Sequence, residues 1–188
     1  MGNIMSETSI LKLKELLKPG GLPELGPGPR AGVIPLEKLS AVLDQLLAGS
    51  KMPETSKELI RGLILLWHDH MEPAHEIAQA IENPDGSFVH GILHRREPDY
   101  GNAGYWFRRV GRHQCFPEIA KRVSNLLNAK DELSVQKQLV RDGEWDAFGF
   151  IDLCEKASAK RVEDASVKLL REIQGIETEV LLEEWARD

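Results

Sequence analysis

A chain of 188 residues with 41% apolar and 29% charged side chains is long enough to bury a core in one domain, and its composition is that of an ordinary soluble globular protein. The net charge of −6 runs against a nucleic-acid binder, which would carry a basic excess. Cys115 and Cys154 stand in no CxxC or zinc-ligand spacing, and the longest apolar run, Leu63 to Trp67, is far too short to cross a bilayer. The expectation is a cytoplasmic protein with no disulfide framework, no thiolate site and no membrane span.

Met1 to Ser6 matches the loose N-myristoylation pattern at Gly2, although no second membrane signal follows and Met5 serves equally well as a start. Ser6 to Lys18 reads as a short amphipathic helix, with Ile10, Leu13, Leu16 and Leu17 at helical spacing. In Pro19 to Gly32, nine of fourteen residues are proline or glycine, which makes the segment a loop or an extended strap. Residues 1–34 therefore form an N-terminal helix plus strap, ahead of a helical body over 35–188.

In that body Pro35 to Ala48 is a helix with proline in its first turn. Thr55 or Ser56 caps a longer one running toward His70, which Pro73 kinks or restarts. Asn83 to Gly86 reads as a turn before a helix from Phe88 to Glu97. Asp99 caps Tyr100 to Arg112. Pro117 to Asn128, Glu132 to Val140, Trp145 to Ala159 and Asp164 to Trp185 follow. No segment alternates as a strand does, so the predicted fold is all-α, a single-domain multi-helix bundle or a short α-α superhelix.

All six histidines lie between His68 and His113, a stretch that has no lysine and is rich in arginine. Imidazole titrates near neutrality and is the commonest metal ligand, while a guanidinium fork suits fixed ion pairs and anions. At 100° per residue His68, Glu72, His75 and Gln79 share one stripe. His90, His94 and Glu97 share another, and Asn102, Tyr105 and Arg109 a third. Each stripe borders an apolar face, so the three are expected to converge on one cleft. Taken singly, any of these histidines is more readily a satisfied residue at the edge of the core.

Familiar metal motifs do not fit. His75-Glu76 opens an H-E-x-x-H pattern, but Gln79 stands where the second histidine belongs. Glu72 to His75 is an E-x-x-H with no second copy, which argues against a di-iron bundle. His68-Asp69 has the dipeptide of the HD phosphohydrolases without their upstream histidine.

The chain carries two resemblances. His90 to Gly111, with Gly91, Asp99-Tyr100, Ala103 and Trp106 or Phe107 in comparable places, looks like one tetratricopeptide-type hairpin, which implies a helix-turn-helix and a peptide groove. The wider pattern of Trp67-His68-Asp69-His70, His75-Glu76, Leu93 to Glu97, Tyr105 to Arg109 and Gly143 to Cys154 resembles a family of uncharacterised bacterial and fungal proteins, and implies no activity.

The leading expectation is a His/Arg/aromatic cleft for a small anionic molecule or peptide, with a divalent metal (zinc, iron, nickel or manganese) as an open companion. His68, Glu72, His75, His90 and His94 are the candidate metal ligands. Arg95, Arg96, Tyr105, Trp106 and Arg109 are the candidate ligand-binding residues. The alternative is a non-catalytic helical interaction module whose histidines are structural.

Overall fold

The computed structural model describes residues 5–187, so the acylation pattern at Gly2 lies outside the described residues. The protein is all-α, with ten helices and one small hairpin among the described residues. Helix α1 (Glu7–Glu15) is capped by Ser6, whose Oγ accepts from the Ser9 N–H at 3.1 Å. Helices α2 (Leu36–Ala48) and α3 (Glu54–Trp67) each begin directly after a proline, Pro35 and Pro53. The start of α3 thus falls before Thr55 and Ser56, because proline already presets the backbone for a first turn.

The break after α3 comes earlier than Pro73. His68 caps α3, Asp69 takes a left-handed conformation at φ 64°, and α4 (Met71–Ala80) restarts with Pro73 in its first turn, where no backbone donor is lost. Helix α5 also starts earlier than its periodicity suggests, spanning Pro84–Arg96. The Asn83 side chain accepts from the Gly86 N–H at 2.8 Å and Pro84 opens the first turn, so the turn-like Asn-Pro-Asp-Gly is a helix cap. Asp99 caps α6 (Tyr100–Val110) as expected, and Gly111 ends it at φ 63°.

Helices α7 (Phe116–Ala129) and α8 (Leu133–Leu139) lead into a hairpin of β1 (Val140–Arg141) and β2 (Glu144–Trp145). Asp142 and Gly143 both have positive φ there, the two-residue turn that an Asp-Gly pair favours. Helix α9 (Ala147–Ala157), capped by Asp146, and α10 (Ala165–Trp185) complete the chain. Phe88, Phe107, Phe150 and Trp185, with leucines of α1, α2 and α3, fill one continuous buried core.

Residues 16–35 form the strap, and it wraps the body. Its proline-rich backbone lacks regular partners, so its carbonyls accept from side chains. Arg171 donates to Leu22 O and Pro23 O, Gln174 to Glu24 O, and Arg96 to Glu24 O and Gly26 O. The two ends of the strap meet at His68, as described below.

Helices α4, α5 and α6 pack consecutively, and α5–α6 is the most extensive helix pairing among the described residues. Gly91 explains the closeness: a Cβ there would sit 2.7 Å from Cε2 of Phe107. Without that side chain the His90 and His94 face of α5 lies directly against Trp106 of α6.

Candidate metal centre

His90 and His94 are one turn apart on α5, and His75 reaches them from α4. Their candidate donor nitrogens all lie within 4.8 Å of one another. His90 and His94 stack at 4.9 Å between ring centroids, with His75 edge-on to both at 4.6 and 5.5 Å. Trp106 stacks on the outer face of His90 at 3.8 Å, and the Arg109 guanidinium lies 5.2 Å from the Trp106 ring centre. Around a tetrahedral ion the nitrogens would sit about 3.3 Å apart, so the imidazoles need to rotate inward by about an ångström.

Both histidines of α5 are buried and His75 is half-buried. Burial first, and then the neighbouring His94 and His75, hold His90 down at about 3. Burial also lowers His94, against the opposing pull of Glu97. Both rings are therefore neutral at physiological pH, the form that ligates metal.

His90 Nδ1 is buried with no hydrogen-bond partner, a departure from the usual rule for buried polar atoms. His94 Nδ1 lies 3.0 Å from Glu97 Oε2, at an angle that makes the contact electrostatic, and Asn102 Nδ2 donates to His94 Nε2 at 3.1 Å. A carboxylate beside Nδ1 favours a proton there, and the Asn102 amide would have to turn aside for the Nε2 lone pair to reach a metal.

The triad opens onto a cleft of about 520 Å³ lined also by Gln79, Glu82, Asn102, Trp106 and Arg109. Trp106 and Arg109 line this cleft beside the histidines. Tyr105 touches Trp106 edge-on at 5.3 Å but points outward and is not part of the lining.

The remaining candidates lie elsewhere. His68 is sealed in the core, where Nδ1 accepts from the Ile34 N–H at 3.2 Å and Nε2 donates to Leu16 O at 2.8 Å. The break at Asp69 takes it off the His75 stripe. Glu72 is exposed on α4 and belongs to no ligand group. Arg95 is wholly buried against Glu177, with contacts of 2.5 and 3.3 Å, and packs over Phe150 at 4.3 Å. Arg96 donates to Leu66 O, Glu24 O, Gly26 O and Asp69, while Arg30 shares the same carboxylate at 2.5 Å. These forks are filled by the protein itself. His70 and His113 are likewise engaged, on Ile34 O and Asp85.

Sequence reasoning did not single out Asn102, Gln79 and Glu82 as cleft residues. Asn102 and Gln79 lay on the polar stripes, but only the packing of α4 and α6 against α5 brings them to one cleft. No protein-family profile, curated protein or solved structure matches this chain.

Proposed function

We propose that this protein binds one divalent first-row metal ion through His75, His90 and His94, and that a small anionic ligand occupies the open side of the ion, paired with Arg109. The observation that carries the reading is the convergence of three imidazoles at a cleft floor, with His90 Nδ1 buried and unpartnered. Three imidazole nitrogen donors with a free coordination side match the arrangement of catalytic rather than structural zinc sites. Iron, nickel and manganese accept such donors too, so affinity alone does not select the metal.

A metal held there would acidify a water on its open side, or polarise an anion bound in that water's place. Arg109 meets no carboxylate among the described residues and lies over the Trp106 ring at the cleft wall.

Elemental analysis and zinc titration calorimetry test the reading. Wild-type protein is expected to take up one equivalent of zinc, and His90→Ala/His94→Ala to take up none at the same concentrations. Nickel should quench the fluorescence of Trp106, which stacks on a ligand ring, and the quench should be absent in Trp106→Phe. An unchanged isotherm in the double variant removes the site. In the zinc-loaded protein Arg109→Gln should weaken phosphate or acetate binding on the order of tenfold, as expected for loss of a charge-assisted contact.

A further inference from the structure

The three histidines of the cleft are not equally ready for a metal. His90 Nδ1 is buried and meets no hydrogen-bond partner. His94 is guarded at both nitrogens. Glu97, the residue that ends α5, places Oε2 3.0 Å from Nδ1, and the Asn102 amide reaches Nε2 at 3.1 Å. The carboxylate decides the tautomer, because it favours a proton on the nitrogen it faces. Nε2 then carries the lone pair, and Asn102 donates to it through Nδ2.

Two further hydrogen bonds hold Asn102 in place. The His94 carbonyl accepts from the Asp99 N–H at 2.9 Å, and Asp99 Oδ1 accepts from the Asn102 N–H at 3.2 Å. With the Asn102–His94 contact they close a ring of three hydrogen bonds between the end of α5 and the first turn of α6. Neither of the other two uses the Asn102 side chain, so the amide can leave Nε2 without moving either helix. Asn102 is half-buried and lines the cleft, which gives the amide room to turn into.

We infer that Asn102 is a latch on the metal site: it holds the His94 lone pair that Glu97 sets for ligation, and an incoming ion must displace it. The latch rests on the proposed metal site and adds a competition to it. A hydrogen bond made only without the ion weakens the binding of every ion by its own worth. For a bond between neutral groups that is about fivefold. The sign separates a latch from a support. An amide that merely oriented the ring for ligation would favour binding, and its removal would weaken the site.

The test is zinc titration calorimetry on the full chain, beside long-range proton–nitrogen histidine spectra of the protein without metal. Asn102→Ala is expected to bind zinc about fivefold more tightly than wild type, and Asn102→Ser to follow it, with thermal melts confirming that each variant folds. His94 should carry its proton on Nδ1 in wild type and in Glu97→Gln, which keeps an acceptor there. In Glu97→Ala the proton should move toward Nε2, with zinc bound at least about tenfold more weakly. If wild type takes up zinc and Asn102→Ala binds it equally or more weakly, the latch is overturned and the metal site stands. A wild-type His94 protonated at Nε2 overturns the latch as well, with no metal involved. Zinc uptake by neither protein removes the metal site itself, and the latch with it.

Discussion

Six histidines close in sequence have two different fates, and hydrogen bonding tells them apart. His68, with burial lowering its pKa, bridges both ends of the strap as a neutral ring that accepts at Nδ1 and donates at Nε2. Removing it leaves the Ile34 N–H and the Leu16 carbonyl unpaired inside the protein. His68→Ala is therefore expected to cost about 3 kcal/mol in urea unfolding, against under about 1 kcal/mol for His75→Ala, which loses ring contacts only. Added zinc should widen the gap between wild type and His75→Ala, because a bound metal stabilises only the folded form. Equal costs for the two variants would contradict this division of roles.

At the scale of elements, the α5–α6 pair sets the geometry of the cleft. Gly91 lets the helices approach until Phe107 covers its backbone, and Trp106 on the adjacent face then stacks on His90. Gly91→Ala forces a methyl group to 2.7 Å from an aromatic carbon. Overpacking of this kind is expected to cost about 2 kcal/mol, and the separation it imposes should also weaken zinc binding by changing where His90 points. Thermal melts and calorimetry on one sample check both. Elements were also where local patterns were easiest to read. Asp99 at the start of α6 and Pro35 ahead of α2 mark their helices without help from the rest of the chain. The small hairpin around Asp142-Gly143 is not anticipated by the sequence pattern, because its two-residue strands are too short to show alternation. Asn83-Pro84 reads as a turn or as a helix cap with equal right, and packing of Gly86 beneath Ile81 favours the cap.

For the molecule as a whole, long-range ion pairs bind elements that are far apart in the chain. Glu183 on α10 accepts from Lys14 of α1 at 2.6 Å and from Arg122 of α7 at 2.6 Å. Burial opposes its charge, but these cations outweigh burial and hold the carboxyl at about 2, below the usual 4.5. A carboxyl depressed in the folded state contributes stability that is present above pH 4.5 and lost as pH falls toward 2. With the partners partly exposed, the contribution is about 2 kcal/mol at neutral pH. Glu183→Gln should thus be less stable than wild type by that amount at pH 7, and the difference should close between pH 4.5 and pH 2. A gap that stays constant with pH would show that Glu183 acts through packing alone.

The sequence by itself determined the helices, some of their caps, the strap and the stretch that carries the histidine cluster, because periodicity, capping and proline placement act over a few residues. The lysine-free stretch suggests fixed ion pairs or anion binding, with Arg95 and Arg96 as ligand-binding residues, but the fold commits both to internal partners. Only the tertiary structure decided which histidines meet. A single left-handed residue at Asp69 turns His68 away from His75, and Arg95 finds Glu177 eighty-two positions along the chain. Such pairings depend on which helix faces come together, and the burial of distant side chains selects those faces.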